Sequence, residues 1–161
     1  MLFGAALWCS AGCRSGPATI TAEPPRPVQR IDVLSLEISP PTPINWDNIP
    51  GPDGIQVKLT CWRTDTPLPV TIDGNVEFLL FQGVVTSAGV ASSTPMQVWM
   101  FTGKQLNARL IRTMFGWSYL VPLEWGRQAP GAGTITLAAR YSSPDGKIVS
   151  SASVSVPMPQ Q

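Results

Sequence analysis

Residues Gly133 to Val156, GTITLAARYSSPDGKIVSSASVSV, alternate along the chain with a period of two, and no other stretch constrains the fold as strongly. Successive side chains of a strand point to opposite faces. Ile135, Leu137, Ala139 and Tyr141 therefore share one face, and Thr134, Thr136, Ala138 and Arg140 the other. In the second arm Ile148, Ser150, Ala152, Val154 and Val156 are expected on one face, with Val149, Ser151, Ser153 and Ser155 on a wetter one. Between the arms stands Ser143-Pro144-Asp145-Gly146, in which proline presets φ, aspartate bonds its own backbone and glycine accepts positive φ. The expectation is a β-hairpin that closes a small all-β domain.

Composition agrees with many short strands joined by tight turns. The chain has 161 residues, 14 glycines and 17 prolines, and its 13% of charged residues is low for a soluble protein. With 43% hydrophobic residues it has too much apolar content to be disordered throughout. A net charge of +1 gives no basic footprint for nucleic acid. Catalysis is not expected: the chain has no histidine, no G-x-S-x-G, no phosphate-binding loop and no dinucleotide fingerprint. Glu77 and Glu124 would make an acid pair only if folding brought them together. No cofactor is called for. Asp47, Asn48 and Asp53 cluster in one loop, but their spacing matches no calcium-binding loop and they are ordinary turn residues, so no metal is expected.

The N-terminal stretch Met1 to Gly12, MLFGAALWCSAG, is apolar and ends at Cys13-Arg14-Ser15. A spanning helix needs about 20 apolar residues, so this shorter run suits the hydrophobic region of a secretory signal. Ser10-Ala11-Gly12-Cys13 resembles the lipobox of bacterial lipoproteins. That resemblance implies cleavage after Gly12, lipid on Cys13, and a membrane partner reached through the lipid. Ser10 stands where the family usually has leucine, and no basic residue precedes the apolar run; a start codon further upstream would account for the latter. An ordinary cleaved signal and an apolar tail are the other readings of the segment.

The organisation expected is a signal peptide over 1–12, a lipid-attached proline-rich tether over 13–29 and a β-sandwich domain over 30–161. Pro17, Pro24, Pro25 and Pro27 favour an extended tether at about 3.1 Å per residue. Cys9 would leave with the signal and Cys13 would carry lipid. Cys61 then remains alone, and it follows Ile55, Val57 and Leu59 at alternate positions, where it serves as a small core hydrophobe. A bridge between Cys13 and Cys61 is the competing possibility.

Within the domain, strands are expected over Ile31 to Ile38, Ile55 to Trp62, Val76 to Gln82 and Met96 to Phe101, with a short edge strand over Pro67 to Ile72. VEFLLFQ over Val76 to Gln82 is apolar on both faces and belongs at the centre of a sheet. Thr102 to Met114 is the single predicted helix. Thr102 and Gln105 fit a capping box, Phe101 and Leu106 a hydrophobic staple, and Leu106, Leu110 and Met114 recur every fourth residue, leaving Lys104, Arg109 and Arg112 to solvent. Trp117 to Trp125 then returns to period two, with Trp117, Tyr119, Val121, Leu123 and Trp125 on one face. Pro122 is expected to mark a sheet edge or a bulge.

The fold class predicted is an all-β, antiparallel immunoglobulin-like β-sandwich of about seven strands with one short inserted helix. The order of elements resembles the immunoglobulin and fibronectin type III class of bacterial surface domains, a likeness that carries no catalytic residue with it. Trp99 to Gly126 is similar to a segment recurrent in exported bacterial proteins. Two functions follow as expectations. One is a lipid-anchored cell-envelope protein, facing the periplasm or exterior, with a structural or protein-interaction sandwich. The other is an exported module that binds a polysaccharide or an envelope protein through Trp99, Trp117, Tyr119 and Trp125.

Overall fold

Ile55, Val57, Leu59 and Cys61 alternate along strand β2 (Gly54–Trp62), and all of them are fully buried. The computed structural model describes residues 23–47, 49–126 and 129–158. In it β2 is flanked by β1 (Val33–Ile38) and β6 (Gly116–Glu124), and β6 also pairs with β5 (Leu110–Thr113). The second sheet runs β4 (Gln97–Thr102), β3 (Asn75–Gln82), β7 (Gly133–Ser142), with β8 (Ile148–Ser150) and β9 (Val154–Met158) both on the far side of β7. All strand pairings are antiparallel. The two sheets share one core, built from the inward faces of β1, β2 and β6 on one side and of β3, β7 and β9 on the other. The chain is thus mostly antiparallel β-sheet with little helix.

β3 is central, between β4 and β7, as its two apolar faces require. Val76, Phe78 and Leu80 enter the shared core, while Leu79 and Phe81 join Ala138 of β7 in a smaller outer cluster. Val85 and Val90 from the segment between β3 and β4 pack over that cluster. Thr136 secures this cover by accepting the Val85 amide at 3.1 Å and donating to the Gly83 carbonyl at 2.7 Å. This is why Thr136 and Ala138, on the face opposite Ile135, Leu137, Ala139 and Tyr141, are buried as well.

The hairpin forms, and its turn closes through Gly146 N–H to Ser143 C=O at 3.0 Å, with Gly146 at φ 87°. Its second arm departs from simple alternation. Arg140 faces Ser150, whereas Leu137 faces Val154, so the returning arm holds one extra residue between β8 and β9. This bulge reverses the phase: Val149 packs toward the core, Ile148 is exposed, and Val154, Val156 and Met158 resume the inward positions. Ser151, at the bulge, is buried and its hydroxyl accepts the Ala139 amide at 2.9 Å.

The helix is much shorter than expected. α1 spans Gly103–Asn107, and the capping box on Thr102 and Gln105 is present in both directions. Leu106 is buried, but Leu110 to Thr113 form β5 and pair with Gly116 to Tyr119. Ladder hydrogen bonds to β6 and the β-branched Ile111 and Thr113 outweigh the four-residue leucine spacing. Arg109 lies over the Phe101 ring at 5.2 Å instead of extending into solvent. Pro67 to Ile72 makes isolated bridges only, Val70 with Cys61 and Ile72 with Val28. Pro122 sits in a strand that is central at its start. Leu120 N–H reaches Arg109 at 3.1 Å as the last contact on the β5 side, and two residues on, where that side has no strand partner, the missing proline donor costs nothing.

Candidate functional site

Because neighbouring strands are antiparallel, one end of the sandwich collects the starts of β1, β3 and β6 and the ends of β2 and β7. The described chain also enters here. Val28 N–H donates to Thr71 C=O and Asp73 N–H to Val28 C=O, both at 2.8 Å, and the Thr71 hydroxyl reaches Pro25 C=O at 2.7 Å. Residues 25–29, expected as tether, are therefore hydrogen-bonded to the domain.

Two buried tyrosines hold this entry pole from below. The Tyr141 hydroxyl lies 2.7 Å from Gln29 C=O and 2.6 Å from Asp73 C=O. Burial, with a smaller contribution from nearby Cys61 and Asp73, pushes its pKa up to about 12. Tyr119 accepts the Ile72 amide at 2.8 Å and donates to Asn107 Oδ1 at 3.0 Å. Burial raises its pKa as well, partly opposed by the Ile72 bond. Beside them Asp32 accepts Thr64 N–H and Thr64 O–H at 3.1 Å, and Arg30 and Lys147 at 3.3 Å. The Thr64 amide is the largest of the influences that hold its carboxyl well below the usual range.

Above this framework lies a groove of about 630 Å³, and it is the best candidate for a contact surface. Pro25, Leu68, Pro69, Val70, Phe115 and Trp117 supply its apolar lining, Glu23 and Arg112 its charges. The β5–β6 hairpin turns through Met114 and Phe115 alone, since Thr113 pairs with Gly116. Gly116, at φ 121°, lies so close to Pro69 that a Cβ would stand 2.9 Å from its ring. This fixes the hairpin against the 63–74 loop. Met114 is 88% exposed, Phe115 69% and Leu68 62%.

The aromatic residues singled out in the sequence do not form one exposed platform. Tyr119 and Trp125 retain 1% and 2% of their surface. Trp125 donates its indole N–H to Pro52 C=O at 2.8 Å, and Trp99, half-buried on the other sheet, donates to Glu124 C=O at 2.9 Å. Trp117 alone lines the groove, eight residues and so about 26 Å along β6 from Trp125. Cys13, the expected lipidation site, lies outside the described residues. Leu68, Met114 and Phe115 carry no local signal of exposure: Leu68 lies in a stretch with strand composition, and Met114 continues the four-residue spacing of Leu106 and Leu110. The signal that would have found the turn is a pair of large apolar residues directly before Gly116.

Cys61 is fully buried, and burial pushes its thiol pKa up to about 12. Glu77 pairs with Arg140 at 2.8 Å on the second sheet, and Glu124 ends β6 on the first, where it lines the hollow beside Trp46. Among the described residues no group of three or more His, Cys, Asp or Glu side chains is placed to hold a metal, and no helix is long and apolar enough to cross a membrane. Comparison with protein-family models, with characterised proteins and with solved structures returned no match.

Proposed function

We propose that this chain is an envelope lipoprotein: lipid on Cys13 holds it to a membrane, facing the periplasm or exterior, and its sandwich acts through structural or protein contacts without catalysis. The observation that carries the reading is the sequence Ser10-Ala11-Gly12-Cys13 directly after an apolar run. The immunoglobulin-like part of the reading is supported by strand order. β1-β2-β6-β5 facing β4-β3-β7-β8 follows the order A-B-E-D facing C′-C-F-G of that class. The reading without catalysis rests on the sequence, which has no histidine, no G-x-S-x-G and no phosphate-binding loop. Cys61 and Tyr119 are themselves core residues whose burial disfavours the anion. A polysaccharide platform receives less support, because Tyr119 and Trp125 are committed to the core.

Stable attachment takes more than one acyl chain, which is what the lipoprotein resemblance implies for Cys13. Cys13→Ser should leave the protein folded and move it from the membrane fraction to the soluble fraction of an expressing bacterium. Retention of the variant in the membrane fraction would refute the anchor.

A further inference from the structure

We infer that the entry pole is a bilayer-docking surface, in which the Met114-Phe115 turn, Leu68 and the groove lined by Trp117 seat against an anionic lipid surface. The inference rests on the proposed anchor at Cys13. A two-residue hairpin turn ordinarily carries Asn, Asp or Gly. Here it carries methionine and phenylalanine, 88% and 69% exposed, beside a leucine that is 62% exposed on the neighbouring loop. Clustered exposure of this kind marks a contact surface. Trp117, half-buried at the groove, and Arg112 at its rim are the residue types that favour the boundary between lipid and water.

Chain length and charge select the occupant. Glu23 and Pro25 line the groove, and Glu23 is ten residue steps from Cys13, a reach of at most about 36 Å when fully extended. The pole nearest the lipid is thus the one where Leu68, Met114 and Phe115 cluster around one groove. Around it Arg26, Arg30, Arg63, Lys104, Arg112 and Lys147 outnumber Glu23, Asp32, Asp65, Asp73 and Asp145 among the described residues, and Asp32 alone pairs with two of the cations. At the opposite pole Asp47, Asp53 and Glu124 surround a separate hollow beside Trp46. An anionic surface attracts the first pole and repels the second.

The test uses the full chain recovered with the membrane fraction and reconstituted into vesicles of phosphatidylethanolamine and phosphatidylglycerol with brominated acyl chains. A polarity-sensitive fluorophore is placed on Met114→Cys or, at the opposite pole, on Val84→Cys, where the native side chain is 74% exposed. The unsubstituted chain, with Cys61 buried, serves as the labelling blank. The probe at 114 should shift to the blue and lose emission to bromine, while the probe at 84 does neither. Vesicle-bound protein in which both probes stay wet overturns the docking surface and leaves the anchor standing. Shielding at 114 that appears only with a second protein, and without bromine quenching, overturns it in favour of a protein partner. A chain that does not stay with vesicles refutes the anchor, and the docking surface with it.

Discussion

The Tyr119 hydroxyl donates to Asn107 Oδ1 at 3.0 Å while accepting the Ile72 amide at 2.8 Å, so one phenol joins β6, α1 and the loop before β3. Asn107 completes the triangle by donating to Ile72 C=O at 3.2 Å. Removing a hydroxyl that serves buried partners costs about 1 to 3 kcal/mol, because the partners lose their bonds without regaining water. Tyr119→Phe should therefore lower the melting temperature with little change in ring packing. An unchanged melting temperature would mean that Ile72 and Asn107 find other partners.

At α1 the cap matters more than the exposed side chain beside it. The Thr102 hydroxyl accepts Gln105 N–H at 3.3 Å, and Gln105 Oε1 accepts Thr102 N–H at 2.8 Å. Thr102→Ala should destabilise by about 0.5 to 2 kcal/mol, and Lys104→Ala by far less. Chemical denaturation of both variants checks the difference; equal effects would contradict the capping role.

Acid sensitivity is predicted at Asp32. Its carboxyl is held below the ordinary value, first by the Thr64 amide and then by the Thr64 hydroxyl, Lys147 and Arg30, against an opposing desolvation effect. A depressed folded-state pKa gives stability that is complete above the unfolded value of about 4 and is lost as pH falls toward the folded value. Thermal melts at pH 7 and pH 3 should show Asp32→Asn less stable than the parent at pH 7, with a smaller loss on acidification. Parallel losses in the two proteins would remove Asp32 from the acid response.

Local alternation made much of the fold legible. Ile55 to Cys61, Leu34 to Ile38 and Ile135 to Tyr141 place their apolar residues inward as their period requires. The misreadings share a physical cause, since each turns on what a distant segment does to a local pattern. Leu106 and Leu110 carry a helical spacing, but pairing with β6 takes Leu110 into a strand. Ser151 carries a strand phase, but its side chain bonds Ala139 and the arm bulges. Thr136 looks solvent-facing until the 83–94 segment folds over it. Of the candidate site, only Trp117 was legible. The groove exists because Gly116 lets the β5–β6 hairpin approach Pro69, and no local pattern reports a contact across 47 residues of chain.

Lipid on Cys13 is what would hold the chain to a membrane, and intact mass spectrometry of the protein recovered from a bacterial envelope detects it. The expected species begins at Cys13, lacks Met1 to Gly12, and carries the added mass of more than one acyl chain. A chain that keeps Met1 to Gly12, or that begins elsewhere with Cys13 unmodified, would contradict the anchor.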